Sequence, residues 1–205
     1  MTINAHYHQY DLPAGLDLGA SIAIDTEAMG LNNIRDRLCV VQLSAGDGQV
    51  HIVHFPQKVY NKSPNLVKLL ADKSKLKIFH FARFDVAILQ YYFNLEIENL
   101  YCTKIVSRLS RTYTDQHSLK ELCSEILGVK ISKQQRTSDW GAEKLTREQL
   151  EYASHDVLYL HKLKEHLDIL LQREGRTQLA QRCFEFIPAR AQLDILGWAD
   201  DILSH

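Results

Sequence analysis

The sequence predicts one α/β domain on a mixed sheet, an antiparallel meander continued by parallel strands and flanked by helices. Three observations carry this expectation. Residues 22–27, 38–45 and 49–55 are short runs rich in Val, Ile and Leu, the composition of buried strands. The last two runs are joined by Gly46-Asp47-Gly48, a turn signal that makes the region an antiparallel meander. Beyond it the pattern alternates between helix (64–71 and 82–93) and strand (76–80 and 100–103), the βαβα rhythm of a layered α/β domain.

The second half reads as mostly helical. Residues 119–127 form a helix ended by Gly128, since glycine adopts the left-handed conformation of a helix C-cap without a steric penalty. A long helix begins at Thr146, which has capping-box spacing with Gln149, and is expected to run to about Arg173 and stop at Gly175. Residues 177–205 should hold one helical stretch before Pro188 and a second after it, because proline removes a donor and clashes with the preceding turn. No linker, internal repeat or low-complexity tract interrupts the chain, so residues 1–205 are expected to be a single domain: a core over about 20–170 and a helical extension over 177–205.

Composition sets outer bounds. With 205 residues, 45% of them hydrophobic and 24% charged, the chain can bury one sizeable core. Its formal net charge of −1 leaves nucleic acid open as a partner, because such a partner needs only a local basic surface. Cys39, Cys102, Cys123 and Cys183 are widely spaced, form no Cys-x-x-Cys pair and follow no secretory leader; buried thiols in a reducing cytoplasm are expected. Among the ten histidines, His51 and His54 are three apart in a strand-like run and point to opposite faces, which argues against zinc. No stretch approaches the roughly 20 apolar residues that span a bilayer, so no membrane partner is expected.

The acidic residues carry the chemistry. Asp25 and Glu27 flank Thr26 at the end of an apolar strand, and the two-residue period sends both carboxylates to one face. Such a pair repels itself unless a cation intervenes, and hard oxygen donors suit Mg2+ or Mn2+; strand-ending acids also occur with no metal role. Asp85 falls in the first turn of the helix over 82–93, where the helix dipole stabilises an acid in any case. Tyr152 and Asp156, four apart on the long helix, share a face at the margin of the apolar stripe of Leu150, Ala153, Val157, Leu160 and Leu167. Taken singly, that pair is also what a solvated helix edge looks like.

Three blocks taken together resemble the ribonuclease D-like branch of the 3′-5′ exonucleases. They are Ile24-Asp25-Thr26-Glu27 with Leu38-Cys39-Val40-Val41-Gln42-Leu43; His80-Phe81-Ala82-Arg83-Phe84-Asp85; and Gln135-Arg136-Thr137-Ser138-Asp139-Trp140 followed by Leu150-Glu151-Tyr152-Ala153-Ser154-His155-Asp156. The resemblance implies a ribonuclease H-like fold and a site of four acidic metal ligands, Asp25, Glu27, Asp85 and Asp156, holding two divalent ions, with Tyr152 orienting the attacking water. A sister branch has histidine five residues before the last aspartate; Glu151 at that position supports the tyrosine subclass.

The extra helical domains of the larger ribonuclease D proteins have no counterpart before His205, so the catalytic domain is expected to stand alone. The length, the Arg35-Asp36-Arg37-Leu38 lead into a strand, and the ending Arg190 to Asp200 are similar to the nano-RNase C group of bacterial oligoribonucleases. That likeness implies hydrolysis of very short RNAs, down to dinucleotides, to nucleoside 5′-monophosphates. It also implies assembly into homo-oligomeric rings, an octamer among them. The alternatives are a DNA or broad-specificity 3′-5′ exonuclease and, outside enzymes, an inactive nucleic-acid-binding scaffold, which would be expected to have lost a carboxylate.

Substrate contacts follow the same resemblance. Leu31 corresponds to a leucine that wedges between terminal bases, or else packs a loop; Gln116 and Ser118 lie where the family contacts the nucleotide end, while Ser118 is equally placed to cap a helix with Glu121. Lys104, Arg108 and Arg111 share a helical face, and Lys130, Lys133 and Arg136 form a second basic cluster; both are phosphate-contact candidates or plain solvated surface. Trp140 reads as a packing residue.

Overall fold

The computed structural model describes residues 4–131, 135, 138–198 and 202. Six strands form one sheet in the order β1-β4-β3-β2-β5-β6, comprising β1 (Asn4–Gln9), β2 (Ser21–Ala28), β3 (Leu38–Ser44), β4 (Gln49–His54), β5 (Leu76–Phe79) and β6 (Leu100–Cys102). The pairs β2–β3 and β3–β4 are antiparallel, the expected meander. β5 and β6 extend it in parallel beyond β2, and β1 pairs in parallel with β4 at the far edge. The α/β fold with a mixed, helix-flanked sheet is thus as the sequence predicts.

β3 is the centre of the core. All seven of its residues are buried, which is why it reads as a continuous apolar run and lacks the alternation of a half-exposed strand. The helices are α1 (Pro64–Ala71), α2 (Ala82–Phe93), α3 (Thr103–Ser110), α4 (Leu119–Leu127), α5 (Arg147–Leu158), α6 (Leu160–Arg173) and α7 (Thr177–Ile195). Two ends are fixed as the sequence signals: Ser118 with Glu121 and Thr146 with Gln149 form capping boxes, and Gly128 closes α4 at φ 67°.

Four expectations are corrected. β1 was not anticipated; its residues, Asn-Ala-His-Tyr-His-Gln, are polar and part-exposed, and backbone pairing with β4 fixes it in place of an apolar face. The single long helix is two, broken at Tyr159 (φ −105°, ψ −5°), because α5 packs on β2, β3 and β4 whereas α6 packs on α3 and α4. Pro188 does not divide the last segment but lies inside α7, where packing against α2 offsets the lost hydrogen bond. Thr103 opens α3 and so does not end β6.

Among the described residues no helix is long and apolar enough to cross a membrane. All four cysteines are free; Cys39, Cys102 and Cys123 are buried and Cys183 is part-exposed, which corrects the last of the four expected buried thiols.

Candidate active site

Strand β2 delivers the first two acids. Register with β3 sets Asp25 opposite Gln42 and Glu27 opposite Val40, on one face, and a bulge between Glu27 and Ala28 shifts the register before the last pair, Ala28 with Leu38. That face is covered by α5, which carries Asp156. As a result Asp25, Glu27 and Asp156 offer carboxylate oxygens that all lie within 4.8 Å of one another, a donor set able to hold a divalent cation. Gln42, which motif reading noted only as part of a strand, points its amide Nε2 at Asp25 Oδ2 from 3.4 Å.

Asp85 reaches the group from the opposite side of the strand. Thr26, between the two acids, faces the other way and donates its hydroxyl to Asp85 Oδ1 at 2.6 Å. This contact holds the first turn of α2 against β2. Sequence reasoning passed over Thr26, although the alternation that pairs Asp25 with Glu27 also sends Thr26 to the other face. Asp85 itself is outside the 4.8 Å group, but its charge is felt there.

Electrostatics reflects the crowding. Burial first, then the charges of Asp85, Asp156 and Glu27, push the Asp25 carboxyl well above the ordinary range. Burial raises Asp85 to about 7 against the hydrogen bond from Thr26; burial and the charge of Asp85 raise Asp156 to about 7. Four acids gathered in this way favour protons or metal cations, and the oxygen-only donor set fits a hard divalent ion.

Tyr152 stands one turn before Asp156 on α5, half-buried, with its ring 5.9 Å from that of Trp140. Trp140 is 2% exposed, which settles it as a packing residue. The loop carrying Trp140 is tied to the head of α5 by Gln149, whose amide donates to Ser138 Oγ (3.1 Å) and to the Asp139 carbonyl (3.0 Å). His80 directly follows β5, and its Nδ1 donates to Thr103 Oγ1 (2.9 Å), which in turn donates to the Phe79 carbonyl. Burial pushes His80 down to about 3, so it is neutral and ties the ends of β5 and β6 together.

Leu31 projects from the loop after β2 and is 83% exposed. The loop is internally braced: the Asn32 side-chain oxygen accepts from the backbone N–H groups of Ile34 and Arg35, and Asp36 accepts from the Asn32 N–H. A Cβ at Gly30 would collide with the Asp36 carboxylate, so a larger residue there would displace that side chain from its contact with the Asn32 N–H. Arg37 anchors its far end by donating to the carbonyls of Phe55 (2.7 Å), Pro56 (3.0 Å) and Gly141 (2.8 Å). Gln116 is exposed ahead of α4, and Ser118 makes the capping box, the structural member of its two readings.

Of the basic candidates, Lys104 and Arg108 reach the surface, but Arg111 does not. Its side chain is fully buried, donates to Ser107 Oγ and the Gln116 carbonyl, and pairs with Glu125. It holds the loop between α3 and α4 and cannot meet a phosphate. Lys133 and Arg136 lie outside the described residues.

Comparison with known proteins agrees with this geometry. Residues 10–172 match the family model described as 3′-5′ exonuclease. The chain is 34% identical over 155 residues to ribonuclease D of Acidiphilium cryptum, covering 76% of this chain and 39% of that protein, so it spans well under half the length of this curated relative. Brucella melitensis NrnC bound to pGG superposes with a TM-score of 0.94 at 52% identity and full coverage of both chains. The same protein with bound Mg2+ gives 0.93 at 52% identity over 98% and 99% of the two chains. The match spans β2 to β6 and the helices up to α6, the Tyr152–Asp156 helix among them, and so includes all four acids; the chain belongs to the 3′-5′ exonuclease family.

Proposed function

We propose that this protein is a metal-dependent exoribonuclease that hydrolyses short RNA, down to dinucleotides, from the 3′ end to nucleoside 5′-monophosphates. The observation that carries the reading is the convergence of Asp25, Glu27 and Asp156 within 4.8 Å, with Asp85 held beside them by Thr26. The relation to NrnC of Brucella melitensis, solved bound to pGG and with bound Mg2+, supports a short oligonucleotide and an ion of the Mg2+ type.

Asp25, Glu27, Asp85 and Asp156 would hold two divalent ions, Mg2+ or Mn2+, which when bound supply Lewis-acid activation of water and charge stabilisation at the departing oxygen. The chain's own groups do the positioning. Tyr152, braced by Trp140, orients the attacking water and accepts or relays its hydrogen; an ordinary phenol titrates near ~10, so it acts as a positioner before it acts as a base. Water oxygen joins phosphorus, the bond from phosphorus to the 3′ oxygen breaks, and that oxygen leaves as a hydroxyl. Leu31, exposed on its braced loop, wedges between the two terminal bases, while Gln116 and Ser118 contact the nucleotide end.

The same reading includes a single catalytic domain over residues 1–205, a cytoplasmic location and a homo-oligomeric ring. Free cysteines support the location, and the exposed apolar side chains Leu196, Trp198 and Ile202 support a self-association surface. The deciding experiment is a time course on end-labelled RNA of two, five and twenty nucleotides beside matching DNA, with and without Mg2+. Stepwise release from the 3′ end of RNA, fastest for the shortest and dependent on Mg2+, is expected. Preference for DNA selects the broad-specificity alternative, and no hydrolysis of either selects the scaffold.

A further inference from the structure

A cavity of about 330 Å³ opens between the head of α2, α3 and α7, with Arg83 in its wall two residues before Asp85. Its walls include Phe81, Ile105 and Phe186, and four cationic side chains line it, Arg83, Lys104, Arg108 and Arg190, with no acidic one. Arg83 and Arg190 both pair with Asp194, at 2.7 and 2.6 Å. Lys104 and Arg108 form no ion pair among the described residues.

Phe81 is unusual. It holds φ 72°, a left-handed conformation that costs a bulky residue energy, yet the residue remains 48% exposed. Lys104 Nζ sits 4.4 Å from the centre of that ring. Phe186 on α7, also 48% exposed, is a second aromatic wall.

Place matters as much as composition. β2, β5 and β6 are mutually parallel, so their C-terminal ends share one edge of the sheet. Asp25 and Glu27 end β2; Phe81 follows β5; Cys102 and Lys104 follow β6. Neighbouring strands lie about 4.8 Å apart, so the strand ends that carry Phe81 and Lys104 stand one and two strands along the sheet edge from the end that carries Asp25 and Glu27. The larger cavity, between the end of α2 and α7, contains Glu96, Glu98 and Glu185, whose charge disfavours an anion.

We infer that this cavity is an accessory nucleotide subsite, in which a base stacks on Phe81 and its phosphate meets Lys104 and Arg108. The inference rests on the nucleolytic reading of the acid cluster and adds the residues that hold the substrate next to it. The aromatic face with flanking cations is the combination that binds single-stranded nucleic acid with little base preference.

The test is fluorescence titration of a 2-aminopurine-labelled ribotrinucleotide in EDTA, which reports stacking without hydrolysis, alongside the Mg2+-dependent time course. The parent should quench the probe. Phe81→Asn, which keeps a residue tolerant of the left-handed conformation, should abolish most of the quenching and weaken binding about tenfold. Lys104→Gln with Arg108→Gln should keep the quenching, weaken binding, and lower the slope of log affinity against log salt by about 0.7, the contribution of one phosphate contact on a single strand. Absence of quenching by the parent, or parent-like affinity and slope in these variants, overturns the subsite; so does a change confined to oligomer size in light scattering, which would mark the cavity as a subunit contact. If the probe binds as expected while the parent hydrolyses no RNA, the nuclease reading fails and the subsite stands.

Discussion

Asp85→Asn isolates the cost of assembling the acid cluster. Asp85 is 4% exposed and its carboxyl is raised from 3.8 to about 7, with burial as the main cause. A carboxyl raised in the folded state stabilises the fold while protonated, so its contribution is full below about pH 4 and is lost as pH rises through about 7. A shift of about 3 units corresponds to roughly 4 kcal/mol at 1.36 kcal/mol per unit, and because Asp25 and Asp156 titrate with it, about 2–4 kcal/mol is assigned to this one site. Asparagine keeps the shape and still accepts the Thr26 hydroxyl, so the substitution removes charge alone. In EDTA at pH 8 the variant should therefore unfold at higher urea than the parent by about 2–4 kcal/mol, and at pH 4.5 the two should coincide. Urea denaturation followed through the buried Trp140 reads this directly. Equal stability differences at the two pH values, or a destabilised variant at pH 8, would refute the account of a cluster strained by its own charge.

Other outcomes follow from the same geometry. Asp25→Ala and Asp156→Ala should each abolish hydrolysis and leave the circular dichroism spectrum unchanged, since each relieves repulsion among acids within 4.8 Å; retained metal-dependent activity in either would remove it from the site. Tyr152→Phe should lower kcat, by roughly ten- to a hundredfold, with Mg2+ affinity by calorimetry unaltered, and a parent-like kcat would show that the hydroxyl has no part. Arg111→Ala should cost about 2–3 kcal/mol in chemical denaturation, because it leaves the Gln116 carbonyl and Glu125 without their buried donor, while a small loss would mean the loop is held elsewhere. Leu31→Ala should raise KM for dinucleotides and leave Tm unchanged, as expected for a side chain 83% exposed; a fall in Tm would mean that it packs the loop instead.

The local position of each acid was legible, but its role was not: singly each also reads as a strand end, a helix start or a solvated helix edge, and only the resemblance of the whole pattern to the exonucleases joined them. Asp25 and Glu27 close an apolar run, Asp85 opens a helix straight after a strand, and Asp156 is one turn beyond Tyr152, so strand period and helix period place all four. What escaped depends on contacts distant in sequence. β1 has almost no apolar residues, and nothing local foretells that it adds to the edge of β4; with it missed, the stacking of His6 and His8 on His51 was missed too. Tyr159 carries no breaker signal, and the change of direction there follows from α5 and α6 having different partners. Arg111 looked exposed on a helical wheel because its partner Glu125 belongs to the next helix. Pro188 erred in the other direction: Phe184, Ile187 and Ala191 are buried around it, and that packing outweighs a local penalty of ~3 kcal/mol.

The magnitudes explain why this fold can hold such a site. Keeping Asp85 ionised in its buried setting costs about 2–4 kcal/mol, a large share of the 5–15 kcal/mol that stabilises a domain. The neighbouring strand offsets it: Leu38, Val40, Val41 and Leu43 of β3 are wholly buried, and at roughly 1.5–3 kcal/mol each they contribute on the order of 10 kcal/mol beside the acids. The acids also come from separate elements, β2, α2 and α5, each fixed by its own packing, so repulsion among them cannot be relaxed by moving one loop. A cation that binds there recovers energy already spent in folding. Metal affinity should therefore rise with pH through about 7, as the protons that compete for the same oxygens depart.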